Sequence, residues 1–159
     1  VGSEMCIRDR FQHIKERFGK LDILINNAGI VLGGTIDNTS LADFHRTLDV
    51  NVIGTFLMSQ KAVEVMKKQG KGTIVNVSSV AASKGHINRL AYSASKGAVT
   101  AMTRSMALEL CHDNIRVNCV SPGTTLTPSL ESRIACSPDP EEARKQFCAR
   151  QPILSLIHI

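Results

Sequence analysis

Aromatic residues are scarce in this chain. Its 159 residues include no tryptophan and only one tyrosine, and aromatic side chains make up 4% of the composition. The formal net charge is +5, but the basic residues are scattered among acidic ones, without a run and without interleaved aromatic side chains. This distribution predicts a solvated surface and no nucleic-acid partner. No apolar stretch reaches the roughly 18 residues of a membrane span, so we expect no membrane partner either.

The five cysteines show no C-x-x-C spacing, and no secretory signal is recognisable. That pattern argues against a disulfide framework and a metal site, and it favours reduced thiols in a cytoplasmic protein. Also missing is a G-x-G-x-x-G run, the glycine-rich turn on which many α/β proteins seat a pyrophosphate. The glycines at 33–34 and 70–72 are typical of ordinary loops.

Three short apolar runs alternate with longer amphipathic stretches. The runs, over residues 21–25, 73–77 and 115–120, are typical of buried parallel strands and lead into small or polar residues. Long helical patterns cover residues 41–67 and 91–110. The alternation predicts an α/β fold, part of a doubly wound, Rossmann-type parallel sheet with three strands. Right-handed crossovers would put the helices mainly on one face, so we expect the other face to be bare and the chain alone to be an unstable monomer.

A tyrosine and a lysine four positions apart, Tyr92 and Lys96, follow a serine, Ser79, that lies 13 residues before the tyrosine. On a helix, positions i and i+4 share a face, so the ammonium would lie beside the phenol ring. A phenol in water has a pKa near ~10, and a cation beside it in a dry cleft stabilises the phenolate, which can then act as a base. The Tyr-x-x-x-Lys spacing alone is a weak signal, because a lone tyrosine on a helix is most often a packing residue.

Five motifs occur together at fixed separations and give that spacing its weight. They are Asn26-Asn27-Ala28-Gly29, Asn51, Ser79, Tyr92 with Lys96, and Pro122-Gly123 followed by Thr127. In this combination the chain resembles the short-chain dehydrogenase/reductase family, from about Phe11 to Gln151. The resemblance implies an NAD(P)-dependent enzyme that transfers a hydride between nicotinamide and a secondary alcohol or ketone.

The resemblance also implies catalytic roles. Tyr92 would be the general acid and base, and Ser79 would hydrogen-bond the substrate oxygen. Lys96 would stabilise the phenolate and hold the nicotinamide ribose, while Asn51 would hold a water that continues a proton relay to solvent. Taken singly, Ser79 could instead be a strand-end turn residue, and Asn51 a capping or helix-kinking amide.

Two loops and the helix would contact the cofactor. Asn27, Ala28 and Gly29 would line the adenosine side, with Gly29 allowing close approach of the backbone. Tyr92 and Lys96 would contribute from the helix. NAD is the expected cofactor and NADP is left open, because the residue that distinguishes the ribose 2′ group in this family precedes the matched segment. On the nicotinamide side the implied residues are Pro122, Gly123, Thr125 and Thr127.

Three arginines indicate a substrate class. Arg89 lies three residues before Tyr92, and Arg133 and Arg150 bracket the segment that closes over substrates in this family. The surrounding residues resemble one subgroup, the cytosolic 3-hydroxybutyrate dehydrogenase type 2 and its bacterial relatives acting on 2-keto-3-deoxy sugar acids. In that subgroup the three arginines would hold the carboxylate of a small hydroxy acid. Leu126 departs from the acidic residue common at its position.

Two other functions stay open at this point. A 3-ketoacyl-carrier-protein reductase would use basic surface near the cleft to dock an acidic carrier. A non-catalytic scaffold or redox-sensing member would have no chemical need for Ser79, Tyr92 and Lys96, so their presence favours an enzyme. The family resemblance further implies a small-molecule substrate and a homo-oligomer, expected to be a homotetramer.

The two ends of the chain are related at the level of DNA. A string that can encode residues 3–10 has a reverse complement that, in another frame, encodes residues 154–159. The string resembles a transposase adapter used in sequencing libraries. We therefore interpret residues 1–10 and 154–159 as adapter-derived, and residues 11–153 as the C-terminal part of a dinucleotide-binding oxidoreductase domain.

Overall fold

The structure, a computed structural model, describes residues 4–150 and 155–157. The chain divides into two compact units, Val1–Ser121 and Pro122–Ile159. The strands of the first unit are β1 (Ile23–Asn26), β2 (Gly72–Val77) and β3 (Ile115–Val120), and its helices are α1 (Glu4–Phe18), α2 (Leu41–Leu48), α3 (Gly54–Gln69) and α4 (Leu90–Leu110). A π-helical turn (Asp49–Ile53) joins α2 to α3, and 3-10 turns (Val80–Ala82 and Cys111–Asp113) precede and follow α4. The second unit contains helices α5 (Pro128–Ala135) and α6 (Pro140–Ala149).

The three strands form one parallel sheet in the order β1-β2-β3. Residues 23–26 pair with 73–76, and residues 72–77 pair with 115–120. Because each crossover moves one strand along in the same direction, α3 and α4 lie on the same face of the sheet. The predicted fold, an α/β fragment of a Rossmann-type sheet with three parallel strands and helices mainly on one face, is confirmed.

The core of the first unit lies between the sheet and these helices. The inward strand residues Leu24, Ile74 and Val117 are buried, and Met66 of α3 is buried among them. Helix α3 ends at Gly70, whose φ of 70° is a left-handed conformation that glycine adopts without strain. The other buried members of this core are Ile7, Phe11, Ala62, Leu110 and Ile115.

The opposite face of the sheet is open. Ile23 and Ile25 of β1 are 59% and 62% exposed, and Val120 of β3 is 48% exposed. In open α/β sheets, apolar strand residues on both faces usually lie under helices. The bare face expected from the crossover direction is therefore observed, while the instability of the isolated chain stays a prediction.

The second unit is built around two capped helices. Thr127 and Asp139 each accept a hydrogen bond from the backbone N–H three residues later, and a proline occupies the first helical position after each. Leu130 and Ile134 of α5 form a small core with Leu156.

The segments interpreted as adapter are described only in part. Residues 4–10 form the first part of α1, and Ile7 contributes to the core. Residues 155–157 belong to the second unit, whereas residues 1–3, 151–154 and 158–159 lie outside the described residues. The adapter interpretation and the domain bounds that follow from it stay predictions.

Candidate active site

Several predicted site residues meet where strand β2 ends and helix α4 begins. Ser79 follows β2 and caps the turn Val80–Ala82, which packs against α4. Tyr92 lies in the first turn of α4 and Lys96 in the next turn. Since parallel strands of an α/β sheet present their carboxyl ends at one edge, this is the edge at which such folds bind ligands.

Lys96 is the buried cation of the site. The residue is 5% exposed, and its Nζ donates a hydrogen bond of 2.7 Å to the carbonyl oxygen of Val77. Nζ lies 5.8 Å from the centroid of the Tyr92 ring, as the shared helix face predicts. Burial lowers the pKa of the Lys96 ammonium, because the charged form loses its hydration. The expected cation stands beside the phenol, and the catalytic roles of both residues stay predictions.

Ser79 has a structural task and retains hydrogen-bonding capacity. It is 9% exposed, and its Oγ accepts a hydrogen bond of 3.1 Å from the N–H of Ala81. The strand-end turn role considered from the sequence is therefore part of its structure. A hydroxyl that accepts one bond still has its own proton and a second lone pair. Within residues 4–150 and 155–157 that proton has no protein acceptor, so it can be directed at a substrate oxygen.

Asn51 lies in the π-helical turn and is 1% exposed. Its Oδ1 accepts from the N–H of Ile30 at 2.8 Å, and its Nδ2 donates to the carbonyl of Ile30 at 3.0 Å. Nδ2 donates a second bond, of 2.9 Å, to Oγ of Ser95. Both amide hydrogens are thus used, and Oδ1 alone keeps a lone pair for a water. The helix-kinking alternative agrees with the π turn, a feature frequent at functional sites, and the water relay stays a prediction.

The predicted adenosine-side loop, residues 27–29, is exposed. A Cβ placed on Gly29 would lie 3.2 Å from Oδ1 of Asn51 and 3.5 Å from Nζ of Lys96. A side chain at this position would therefore occupy the space in front of the ammonium, which glycine leaves open. Such an opening suits a ribose held by Lys96, so the residues present fit a nicotinamide cofactor. The roles of Asn27 and Ala28 stay predictions.

A buried polar network that the sequence analysis missed joins the two strand ends to the helices. Nδ2 of Asn26 donates to Oδ1 of Asn76 at 2.8 Å and to Oγ of Ser59 at 3.0 Å. Nδ2 of Asn76 in turn donates to Oγ1 of Thr103 at 2.9 Å. The available signal was an asparagine at an inward position of two apolar runs, since buried amides need partners. The network joins the ends of β1 and β2 to each other and to helices α3 and α4.

Arg89 stands at the start of α4, three residues before Tyr92. Its Nη1 donates a 2.7 Å hydrogen bond to the carbonyl of Asn88, which has the left-handed φ of 57°. A Cβ on Gly33 would lie 3.5 Å from the same Nη1, so the guanidinium reaches the loop that follows β1. The structure places Arg89 beside the first turn of the helix that carries Tyr92, and its contact with a substrate stays a prediction.

The predicted nicotinamide-side residues open the second unit. Thr127 caps α5, where its Oγ1 accepts from the N–H of Leu130 at 3.3 Å. Thr125 donates a long bond of 3.4 Å to the carbonyl of Gly123. Together with Pro122, these residues are partly buried. The roles that the resemblance gives to Pro122, Gly123, Thr125 and Thr127 stay predictions.

Arg133 and Arg150 meet at one aromatic ring within the second unit. Their guanidinium carbons lie 5.9 Å and 4.4 Å from the centroid of the Phe147 ring. Burial, and after it the charge of Arg133, lowers the pKa of the Arg150 guanidinium. In the part of the chain that the structure describes, no carboxylate forms an ion pair with either arginine. Two of the three predicted arginines are therefore brought together in a setting that an anion would stabilise.

Within residues 4–150 and 155–157, no helix is both long enough and apolar enough to cross a bilayer. No group of three or more His, Cys, Asp or Glu side chains there could hold a metal ion.

The chain is similar in sequence to known oxidoreductases. A sequence profile for short chain dehydrogenases matches residues 1–135. An uncharacterized oxidoreductase of Thermotoga maritima is 52% identical over 141 residues, which make up 89% of this chain and 56% of that protein. A trans-4-hydroxycyclohexanecarboxylate dehydrogenase of Sinomonas cyclohexanicum is 44% identical over 113 residues, 71% of this chain and 43% of that protein. The chain thus spans about half the length of these relatives.

Solved structures share the fold. NAD+-bound xylitol dehydrogenase superposes with a TM-score of 0.88 at 33% identity, over 98% of this chain and 64% of that one. ElxO with NADP bound gives a TM-score of 0.92 at 30% identity, over 98% of this chain and 62% of that one. One neighbour holds NAD+ and the other NADP, so the likeness leaves the choice between the two open.

Proposed function

The chain belongs to the short-chain dehydrogenase family, and we propose that it carries the acid-base site of an oxidoreductase that transfers a hydride between a nicotinamide cofactor and a secondary alcohol or ketone. The observation that carries the proposal is the buried Lys96 ammonium beside the ring of Tyr92. Burying a cation without a carboxylate partner costs stability, and no described carboxylate pairs with Lys96. Because such burial is unfavourable, a buried ammonium at the ligand-binding edge of the sheet indicates a chemical role for Lys96.

The proposed reaction moves one proton and one hydride. In the oxidising direction, the hydroxyl proton of the alcohol passes to the phenolate oxygen of Tyr92, while the hydrogen on the carbinol carbon leaves with its electron pair. A bound nicotinamide would supply the acceptor for that hydride. Lys96 stabilises the phenolate before the proton arrives, and the Ser79 hydroxyl donates to the substrate oxygen and fixes its position. The ketone is left, and reduction reverses each step.

The proton would then leave along Lys96 and Asn51. One of the three ammonium hydrogens is used on the carbonyl of Val77, which leaves two for a ribose hydroxyl and a water. Oδ1 of Asn51 and Nζ of Lys96 lie 3.2 Å and 3.5 Å from the point where a Cβ on Gly29 would stand. A water bound there would touch both groups, and this supports the proposed relay.

For the cofactor, we propose NAD, with NADP as the alternative. Residues 27–29 would line its adenosine side and Lys96 would hold its ribose, as the open space at Gly29 favours. Pro122, Gly123, Thr125 and Thr127 would line the nicotinamide side. The preference for NAD rests on the subgroup resemblance alone.

For the substrate, the proposal is a small hydroxy acid of the 3-hydroxybutyrate or 2-keto-3-deoxy sugar acid type. Arg133 and Arg150 supply two guanidinium groups at one ring, without a described carboxylate partner, and Arg89 stands beside the helix of the base. A guanidinium fork matches a carboxylate and would orient the acid against the nicotinamide. The name of the Sinomonas relative also describes a substrate that bears both a hydroxyl and a carboxylate.

A hybrid protein offers a direct test. The residues of this chain replace their 141 counterparts in the Thermotoga maritima oxidoreductase, which restores the length of a relative. Purified hybrid protein is assayed with NAD and with NADP on 3-hydroxybutyrate, a 2-keto-3-deoxy sugar acid and a 3-ketoacyl thioester. Preference for one of the acids supports the proposal. Preference for the thioester would favour the carrier-protein reductase, and a folded hybrid inactive on all secondary alcohols and ketones would favour the non-catalytic alternative.

The cytoplasmic location and the homotetramer belong to the same proposal. The exposed apolar strand residues Ile23 and Ile25 support the proposal that another surface covers this face of the sheet. Whether that surface comes from the same polypeptide or from a second subunit is a question for light scattering on the hybrid protein.

A further inference from the structure

Ser95 is a fully buried serine directly before Lys96 in helix α4. Its exposed fraction is 0%, and its Oγ makes two hydrogen bonds. Oγ lies 2.7 Å from the carbonyl oxygen of Tyr92 and 2.9 Å from Nδ2 of Asn51. Neither the proposed reaction nor the sequence motifs give this serine a role.

The directions of the two bonds follow from the surroundings. Asn51 accepts from the N–H of Ile30 with Oδ1 and donates to the carbonyl of Ile30 with Nδ2, which fixes the orientation of the amide. Nδ2 can only donate, so Oγ of Ser95 accepts from it. The single hydroxyl proton of Ser95 is then left for the carbonyl of Tyr92. Donors and acceptors thus run in one order, from Asn51 through Ser95 to the backbone of Tyr92.

These bonds join the loop after β1 to the helix that carries the base. Ile30 directly follows Gly29, the residue that faces the Lys96 ammonium. We propose that Ser95 is a positioning residue for hydride transfer, which fixes Tyr92 relative to the loop that lines the cofactor. The inference rests on the proposed function, because the position of Tyr92 matters to the rate only if Tyr92 is the base.

Removal of the Ser95 hydroxyl would affect the two ends of this connection differently. The carbonyl of Tyr92 keeps its ordinary helical partner, so helix α4 should persist. The amide hydrogen of Asn51 would lose its acceptor in a dry place, and the amide would have to shift to find another. Such a shift would weaken the two hydrogen bonds between the Asn51 amide and the backbone of Ile30. Because reacting groups must be held within a fraction of an ångström, a displacement near ~1 Å lowers a rate roughly tenfold to a hundredfold.

Ser59 provides a matched control. It is 1% exposed and helical, and its Oγ accepts from Nδ2 of Asn26 at 3.0 Å. Replacing either serine by alanine removes one buried hydroxyl and leaves one amide hydrogen without its acceptor. Only Ser95 is bonded to Tyr92, so a general loss of stability would appear in both variants, whereas a positioning effect would appear in one.

The experiment compares Ser95→Ala with Ser59→Ala in the hybrid protein, by steady-state kinetics and urea unfolding. Ser95→Ala should lower kcat at least about tenfold with KM for the alcohol within about threefold, because ground-state binding does not depend on the base. Ser59→Ala should leave kcat within about twofold at a similar loss of unfolding stability. Ser95→Thr should restore most of kcat, because a helical threonine hydroxyl also bonds a carbonyl three or four residues back.

If Ser95→Ala does not fold, Ser95→Cys takes its place, and the weak thiol donor predicts a smaller loss of kcat. Equal kcat values for the Ser59 variant and for the folded Ser95→Ala or Ser95→Cys variant would overturn the positioning role. A folded parent hybrid with no activity on any secondary alcohol would refute the proposed function and the inference with it. The two failures are distinguishable because the activity of the parent is measured first.

Discussion

Lys96 is held beside Tyr92 by a hydrogen bond to the sheet, although both residues lie on one helix. The ammonium donates to the last carbonyl of β2, that of Val77, at 2.7 Å and stands 5.8 Å from the phenol ring centroid. Ser78, the next residue, donates from Oγ to the backbone carbonyl of Lys96 at 3.1 Å. Both ends of the lysine are thus tied to the end of β2, so the position of the cation depends on how the helix packs against the sheet.

Replacement of Tyr92, the proposed base, should remove turnover and little else. Tyr92→Phe in the hybrid protein deletes the proton acceptor but keeps the ring and its packing, so kcat should fall by at least about a hundredfold. Cofactor affinity and urea unfolding should match those of the parent. Activity within about tenfold of the parent would show that Tyr92 is not the base.

The buried cation predicts a specific dependence of stability on pH. Because burial lowers the pKa of Lys96, the native state binds fewer protons than the unfolded state between that lowered value and the ordinary lysine value of about 10.4. The free energy of unfolding should therefore rise with pH through this window in the parent, relative to Lys96→Met, which lacks the group.

Urea unfolding of the hybrid protein and its variants from about pH 7 to about pH 10 measures that difference. Lys68→Met, on the exposed surface of α3, keeps Lys96 and is the matched control, so its free energy of unfolding should rise with pH as that of the parent does. A difference between parent and Lys96→Met that stays flat or falls as pH rises would contradict the effect of burial.

Much of this arrangement could be predicted from sequence periodicity. The strands follow from short continuous apolar runs, and the shared face of Tyr92 and Lys96 follows from the helical period of about 3.6 residues. The bare sheet face, with Ile23 and Ile25 exposed, follows from the direction of the crossovers alone.

The hydrogen bonds that align the site could not be predicted in this way. Asn51 meets Ile30 and Ser95 only after a π turn sets its position, and no pattern in the sequence marks that turn. The pairing of Asn26 with Asn76 depends on strand register, which the sequence does not state. Such contacts join residues distant in the chain, so they follow from packing and not from local preference.

The 159-residue chain by itself should bind no dinucleotide. It lacks a G-x-G-x-x-G turn for the pyrophosphate, and one apolar face of its sheet is open. Calorimetric titration of the chain with NAD and with NADP should give no measurable heat of binding, and the chain should show no dehydrogenase activity. Micromolar affinity for either cofactor would show that the residues present suffice to hold it.

The three arginines lead to a prediction about substrate preference that distinguishes a hydroxy acid from a thioester. If Arg89, Arg133 and Arg150 hold a carboxylate, the hybrid protein should oxidise a small hydroxy acid far better than its methyl ester or amide. The neutral analogues would leave the guanidinium groups without their charge-assisted partner. Arg150→Met should therefore raise KM for the acid by about tenfold or more and leave any slow activity on the ester nearly unchanged.

Arg104→Met is the matched control, because Arg104 is an exposed arginine of α4 and the same charge is lost. It should leave KM for the acid within about twofold. A carrier-protein reductase would instead prefer the thioester to the acid. Because a thioester has no carboxylate for Arg150 to bind, Arg150→Met would leave KM for the thioester nearly unchanged. KM values for the acid, its ester and a 3-ketoacyl thioester, measured side by side, distinguish the hydroxy-acid dehydrogenase from the carrier-protein reductase. Equal KM values for the acid in Arg150→Met and Arg104→Met would contradict the carboxylate proposal.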